Sequence, residues 1–319
     1  LAYETVPGAV GRVFGTQVRI NSAGFRDREY PLEKPEGTRR LLVLGDSITF
    51  GNSLRREERF SEILEERYRE DGEPVEVLNL GVAGYDTVQE IAFLERSGLA
   101  FDPDVVLVAY CVNDMGIHTT SLRALRMLES NGRWFRASRL VQVVFVNVDT
   151  KLFTRGTERA NFDPEFRRVH GDRIAKIPPG APVRELMSRL RDVLDSDPPK
   201  PPVRFLSWHT SPAKVGRFRW AMERLRELGS AHGFRAAVAI IPYLDERGKP
   251  EAFRQAYAVV EHEVRRAGHR AILLREDLVK LGLERARHPA TPDEPVNLLH
   301  PGPAGHRAIA EALHRTLEW

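Results

Sequence analysis

Leu41-Leu42-Val43-Leu44-Gly45-Asp46-Ser47-Ile48-Thr49-Phe50-Gly51 decides how this chain is read. The apolar run Leu41 to Leu44 reads as a short strand covered on both faces. It stops at Gly45-Asp46-Ser47, so a hydroxyl sits on a turn at the strand's C-terminal end. In open α/β sheets that edge is where ligands bind. The glycines allow a tight turn and close approach by a substrate. One reading makes Ser47 a nucleophile. The other makes it a helix cap, since Asp and Ser are favoured caps. The segment alone leaves both open.

The pattern repeats on either side. A helix is expected over Arg55 to Asp71, with Phe60, Ile63, Leu64 and Tyr68 on one face. Val75 to Leu80 reads as a second strand, closed by Gly81-Val82-Ala83-Gly84. A helix from Thr87 to Ser97 and the strand Val105 to Tyr110 follow. After a long interruption come a helix over Arg217 to Leu228 and the strand Ala236 to Ile241. A helix over Pro250 to Arg266, the strand Ala271 to Leu274 and a helix from Pro303 complete the chain. Such alternation predicts a parallel sheet with helices on both faces, a three-layer α/β/α domain over residues 39–319. Residues 1–38 hold short alternating stretches at Arg12-Val13-Phe14 and Gln17 to Ile20, read as a hairpin or extended arm packed on that domain. Residues 116–215 are too long for a βα connection. They read as an inserted lid or cap, with helices near 138–151 and 183–194 and a Pro-rich stretch at 197–202.

The chain has 319 residues, 42% of them hydrophobic and 29% charged, as expected of an ordinary globular domain. The net charge is +3 at a pI of about 9.1, with both signs interspersed and no basic block. Nucleic acid is therefore not expected as a partner. One cysteine, Cys111, excludes an internal disulfide. No apolar run reaches membrane-spanning length. The chain begins at Leu1, which leans the reading toward a secreted or cell-envelope protein that has lost an upstream signal or anchor.

Three strand ends then converge on one sheet edge: Ser47, Gly84 and the run Cys111-Val112-Asn113-Asp114. Near the C-terminus lies Asn297-Leu298-Leu299-His300-Pro301-Gly302. Acyl transfer needs such parts. A serine hydroxyl needs a base within hydrogen-bond reach, and histidine suits that task. The tetrahedral oxyanion needs donors fixed in advance. The backbone N–H groups of Ser47 and Gly84 and the side-chain amide of Asn113 are candidates.

With these residues in order, the chain resembles the SGNH/GDSL hydrolase family. Gly45-Asp46-Ser47 matches its first block, which implies Ser47 as nucleophile. Asn79-Leu80-Gly81-Val82-Ala83-Gly84 matches the second, with Gly84 rather than Gly81 as oxyanion donor. Asn113-Asp114 match the third, with Cys111 in place of a glycine. His300-Pro301 match the last, which implies His300 as base. The resemblance covers roughly residues 40–115 and 235–319 and leaves the arm and the insert unmatched. It implies a flavodoxin-like sheet, an esterase acting through an acyl-enzyme, and no metal or cofactor.

Asn297 departs from the family, whose acid stands three residues before the histidine. An amide oxygen can accept from the imidazole but supplies no charge. Three outcomes stay open: a Ser–His dyad oriented by Asn297, a nearby carboxylate (Asp293 or Glu294) in its place, or a weakened, binding-only protein. An acyltransferase using the same acyl-enzyme is a further alternative. Small-molecule, lipid and carbohydrate esters, acetyl esters among them, all fit. Asp46 and Asp114 read as loop-holding groups, Cys111 as inert packing and Glu261-His262-Glu263 as a solvated helix face rather than a metal site. Phe205, Trp208 and Phe218 read either as cleft lining or as core.

Overall fold

A computed structural model of the protein describes residues 4–13, 15–116, 204–246, 250–288, 299–317 and 319. Its centre is a five-stranded parallel sheet. The strands are β3 (Arg39–Gly45), β4 (Val75–Gly81), β5 (Val105–Tyr110), β6 (Arg235–Ile240) and β7 (Arg270–Leu273). They follow β1 (Val10–Val13) and β2 (Thr16–Arg19), which form a separate antiparallel hairpin. The sheet order is β4-β3-β5-β6-β7. Counted within the sheet this is 2-1-3-4-5, the flavodoxin-like order. Its switch point lies between the first and third strands, where ligands bind beyond the carboxyl ends. Here those strands are β3, which leads into Ser47, and β5, which leads into Asn113.

The register explains why the apolar runs are continuous. Leu42 lies beside Leu78 and Val106, and Leu41 beside Val77 and Val105. Side chains alternate across a strand, so the two sets go to opposite faces. Leu42, Leu44, Leu78, Leu80, Val106 and Val108 join the core under α3 (Thr87–Phe93), α5 (Pro212–His232) and α6 (Pro250–Arg266). Leu41, Val43, Val77, Val105 and Leu107 join the core under α2 (Phe60–Glu70) and α9 (Pro303–Thr316). Burying one such side chain contributes about 1.5–3 kcal/mol, several times the usual spread in helix propensity. Burial therefore sets these elements. Between α3 and α5 the described chain includes α4 (Arg204–Trp208). After β7 come α7 (Arg275–Leu281) and α8 (Leu283–Ala286).

Several expected boundaries move. The helix expected over 55–71 is a 3-10 turn at Arg56–Glu58, an extended Arg59 and then α2. Arg59 is fully buried, and its guanidinium bonds the backbone oxygen of Arg26 and the carboxylate of Glu62. A tertiary contact here overrides local propensity. The helix expected over 87–97 is α-helical to Phe93 and continues as a π turn over Leu94–Gly98. That expected over 217–228 runs from Pro212 to His232, and α7 and α8 have no counterpart in the sequence reading. Glu263 does not face solvent. It is buried, where Arg219 holds it through two bonds of 2.8 Å. Phe205, Trp208 and Phe218 are core residues. Most of the expected insert, including both of its helices, lies outside the described residues. Among the described residues no helix is long and apolar enough to cross a membrane.

The packing of α9 on α2 makes a pH prediction. His306 is buried, and its Nδ1 accepts the N–H of Phe60 at 3.0 Å. Burial and the nearby Arg59 push its pKa down to about 3. The unfolded chain binds this proton below pH ~6.5 while the folded chain does not, so stability falls as pH drops from there toward 3. His306→Asn keeps an acceptor but cannot titrate. It is expected to remove up to one proton from the stability slope, about 1.4 kcal/mol per pH unit. Urea unfolding midpoints over that range measure this, and equal slopes in the two proteins would count against it.

Candidate active site

Ser47 is the first residue of α1 (Ser47–Phe50), a helix of a single turn directly after β3. Asp46 caps it, accepting the Ile48 N–H on Oδ1 at 2.9 Å. Gly51 ends it in the left-handed region at φ 78°, its N–H shared between the carbonyls of Ile48 and Ser47. Two glycines let this turn sit on the sheet. A Cβ at Gly45 would lie 2.1 Å from Thr49 Oγ1, and one at Gly81 would lie 2.3 Å from the backbone nitrogen of Phe50. The Ser47 N–H belongs to the first turn, where a helix has no acceptor of its own. It is thus a donor at the positive end of the helix.

The neighbouring strand ends supply the rest. After β4 the ladder runs one bond further, from Val82 N–H to the Gly45 carbonyl at 3.0 Å. A tight turn follows, closed by Tyr85 N–H to the Val82 carbonyl at 3.1 Å, with Gly84 at φ 84°. After β5 the turn Cys111 to Asp114 is closed twice. Asp114 N–H reaches the Cys111 carbonyl, and Asp114 Oδ2 accepts Cys111 N–H at 2.7 Å. Thr87 N–H bonds the Asp114 carbonyl at 3.3 Å and ties this loop to the previous one.

Asp46 is the hub between these loops. Its Oδ2 accepts from Asn113 Nδ2 at 2.8 Å and lies 3.2 Å from Ser47 Oγ and 3.5 Å from Cys111 Sγ. The Cys111 thiol donates to the amide oxygen of Asn113. With its oxygen and one N–H engaged, the Asn113 amide cannot flip without losing both bonds. Burial, with Asp114 and Asp46 nearby, pushes the Cys111 thiol up, which keeps it a donor. The thiol is therefore not a thiolate nucleophile, yet it is more than inert packing. Burial and neighbouring carboxylates also raise Asp114 and Glu90.

Asp46, Cys111 and Asp114 come close enough to suggest a metal. The donor set does not fit one. The carboxylates already accept bonds from Asn113 Nδ2, Ile48 N–H and Cys111 N–H, which a cation here would displace.

His300 arrives from the other end of the chain. An antiparallel bridge pairs Arg287 with Pro301, and the His288 N–H bonds the His300 carbonyl at 3.1 Å. Gly302 and Gly305 allow this closeness, since a Cβ at either would lie within 2.6 Å of a backbone oxygen in the segment 286–287. The result places His300 Nε2 at 2.7 Å from Ser47 Oγ, although 253 residues separate them in sequence. Of the expected site residues, Ser47, Gly84, Asn113 and His300 thus lie on adjacent loops, and Ser47 touches His300 directly. Asn297, Asp293 and Glu294 lie outside the described residues. The sequence reading missed the three contacts that converge on Asp46 and the thiol contact to Asn113. Spacing gives no signal for the contacts of Asp46 with Asn113 and Cys111, because these depend on the relative height of two strand ends.

The profile of the GDSL-like Lipase/Acylhydrolase family matches residues 43–308. No curated protein matches the chain. Among solved structures, TesA is similar at 14% identity and a TM-score of 0.48, covering 88% of this chain and 98% of its own. An acetyl xylan esterase, AlAXEase, is similar at 12% identity and a TM-score of 0.46, covering 88% and 100%. Axe2, an acetylxylan esterase from Geobacillus stearothermophilus, is similar at 14% identity and 0.45, covering 88% and 95%. Likenesses this distant carry no information on substrate. The family profile spans most of the chain and includes the loops that bear Ser47, Asn113 and His300, and the protein belongs to the GDSL-like lipase/acylhydrolase family, as a carboxylic ester hydrolase.

Proposed function

We propose that the protein cleaves acyl esters through an acyl-enzyme on Ser47, with His300 as general base and acid. The observation that carries this reading is the 2.7 Å contact between His300 Nε2 and Ser47 Oγ, within the range a proton transfer needs. Ser47 Oγ attacks the ester carbonyl while His300 Nε2 takes its proton. The carbonyl oxygen becomes an oxyanion and accepts from Ser47 N–H, Gly84 N–H and the side-chain amide of Asn113. Collapse expels the alcohol, which leaves with the proton from His300. Water then gives a proton to His300 and attacks the acyl carbon, and the acid departs as Ser47 recovers its hydrogen. Each donor is assigned because its loop is fixed before substrate arrives, which is what makes such donors effective. The substrate is a small-molecule, lipid or carbohydrate ester. Residues 1–38 act as an arm on the 39–319 domain.

Turnover of short p-nitrophenyl esters, with and without an added alcohol acceptor, tests this reading. A pre-steady-state burst of p-nitrophenol followed by release of free acid supports it. No turnover of any ester contradicts it, and acyl transfer without acid would make the chain a transferase.

Asn297 is assigned to orient His300 through its amide oxygen. In serine proteases the Asp to Asn change costs roughly 10⁴ in kcat, chiefly through the wrong imidazole tautomer. Asn297→Asp is therefore expected to raise kcat about tenfold or more, with that figure as its ceiling. An unchanged kcat in a folded variant would assign the acid role to Asp293 or Glu294 instead.

A further inference from the structure

We propose that Arg26, on the N-terminal arm, is a positioning residue for Ser47, an inference that rests on Ser47 being the nucleophile. α1 is only four residues long. Four residues cannot hold a helix by themselves, because nucleation costs more than one turn of hydrogen bonds returns. The conformation of Ser47 is therefore imposed from outside, at both ends of the turn. Asp46 grips the N-terminal end. At the other end the carbonyls of Phe50 and Gly51 point away from the helix, and Arg26 takes both. Its Nη1 donates to Phe50 O at 2.8 Å and to Gly51 O at 2.5 Å, and its Nη2 donates to Leu54 O at 2.6 Å. The guanidinium also lies 5.0 Å from the centre of the Phe50 ring.

Arg26 is only 4% exposed and Phe50 is buried, so the Phe50 carbonyl has little water to fall back on, while Gly51 O also accepts Leu54 N–H at 3.1 Å. The backbone that carries Arg26 is held in turn. Arg59 bonds the backbone oxygen of Arg26. Asn21 brackets the arm's loop, accepting from Phe25 N–H at 2.8 Å and donating to Arg28 O at 2.8 Å. The next residue, Asp27, accepts the N–H of Asn79 on β4 at 2.9 Å. Asn79 then donates to Thr49 O at 2.8 Å, the remaining part of the same turn. The arm thus fixes α1 against β4, the strand that leads into Gly84. A planar fork with donors at fixed angles suits three divergent carbonyls, and an ammonium does not reproduce it.

Substitution here is expected to act on turnover rather than on binding. A shift of about 1 Å at the reacting atom can cost 10²-fold. Arg26→Ala is expected to lower kcat by about 10–100-fold, with KM changed less than about threefold. The rate at which a fluorophosphonate labels Ser47 should fall in parallel. Arg26→Lys should lie between the two. Assays run well below each variant's melting temperature separate this effect from lost stability. If Arg26→Ala does not fold, Arg26→Lys and Arg26→Gln carry the test. A lower melting temperature with kcat and labelling rate at the wild-type level would overturn the proposal. Ser47→Ala serves as the reference. Inactive Ser47→Ala beside fully active Arg26 variants removes only this inference, whereas active Ser47→Ala removes the nucleophile assignment and this inference with it.

Discussion

Replacing Ser47 by alanine is expected to lower kcat for ester hydrolysis by roughly 10⁴–10⁶, to the level left by binding and oxyanion donors alone. The size follows from its place in the reaction. Ser47 forms the covalent bond, and its Oγ is the group that His300 Nε2 touches. Stability should change little. Alanine is a good helix residue, and the Asp46 cap bonds the backbone N–H of Ile48, not Ser47. The lost hydrogen bond from Oγ to His300 is worth about 1 kcal/mol or less once replaced by water. Steady-state kinetics and thermal melting of the purified variant check both halves. A kcat within tenfold of wild type would remove Ser47 from the mechanism.

His300→Gln is expected to have the second largest effect, a loss of about 10³–10⁴ in kcat. Glutamine fills much of the same space and can still hydrogen-bond Ser47, but it cannot carry a proton between serine, alcohol and water. The backbone of His300 should stay in place, because the bridge from Arg287 to Pro301 and the bond from His288 N–H hold it without the ring. KM is expected to stay within about threefold, since the ring acts on the proton and not on ground-state binding. A raised KM with kcat preserved would place His300 in substrate binding. It would also leave the base of the reaction unassigned.

Most of the architecture was readable in the chain because parallel strands announce themselves. Leu41 to Leu44 and Val105 to Tyr110 are buried on both faces, so their sequences have no polar interruption. The glycines at 45, 81, 84 and 302 were readable as turns for a related reason: close backbone approach leaves few alternatives to glycine. The order of strands was implied by resemblance, and the register was not legible at all. Register places the ends of β3 and β5 side by side, and from it follow the contacts of Asp46 with Asn113 and Cys111.

The misreadings share a cause. Arg59 was assigned to a helix and Glu263 to solvent, because both sit in sequence patterns that suit those roles. Each is instead buried by a distant partner, Arg26 for one and Arg219 for the other. A single sequence carries no trace of such long-range pairs. The same limit hid Arg26. In the arm it is one charged residue among several, and only the fold brings it under the carbonyls of Phe50 and Gly51.

The most direct test of the central claim is covalent labelling. The wild-type protein is treated with a fluorophosphonate, and the site is located by intact mass and peptide mapping. A single adduct on Ser47, absent in Ser47→Ala and formed far more slowly in His300→Gln, is the predicted result. An adduct on another residue, or none on a protein that turns over esters, would contradict it.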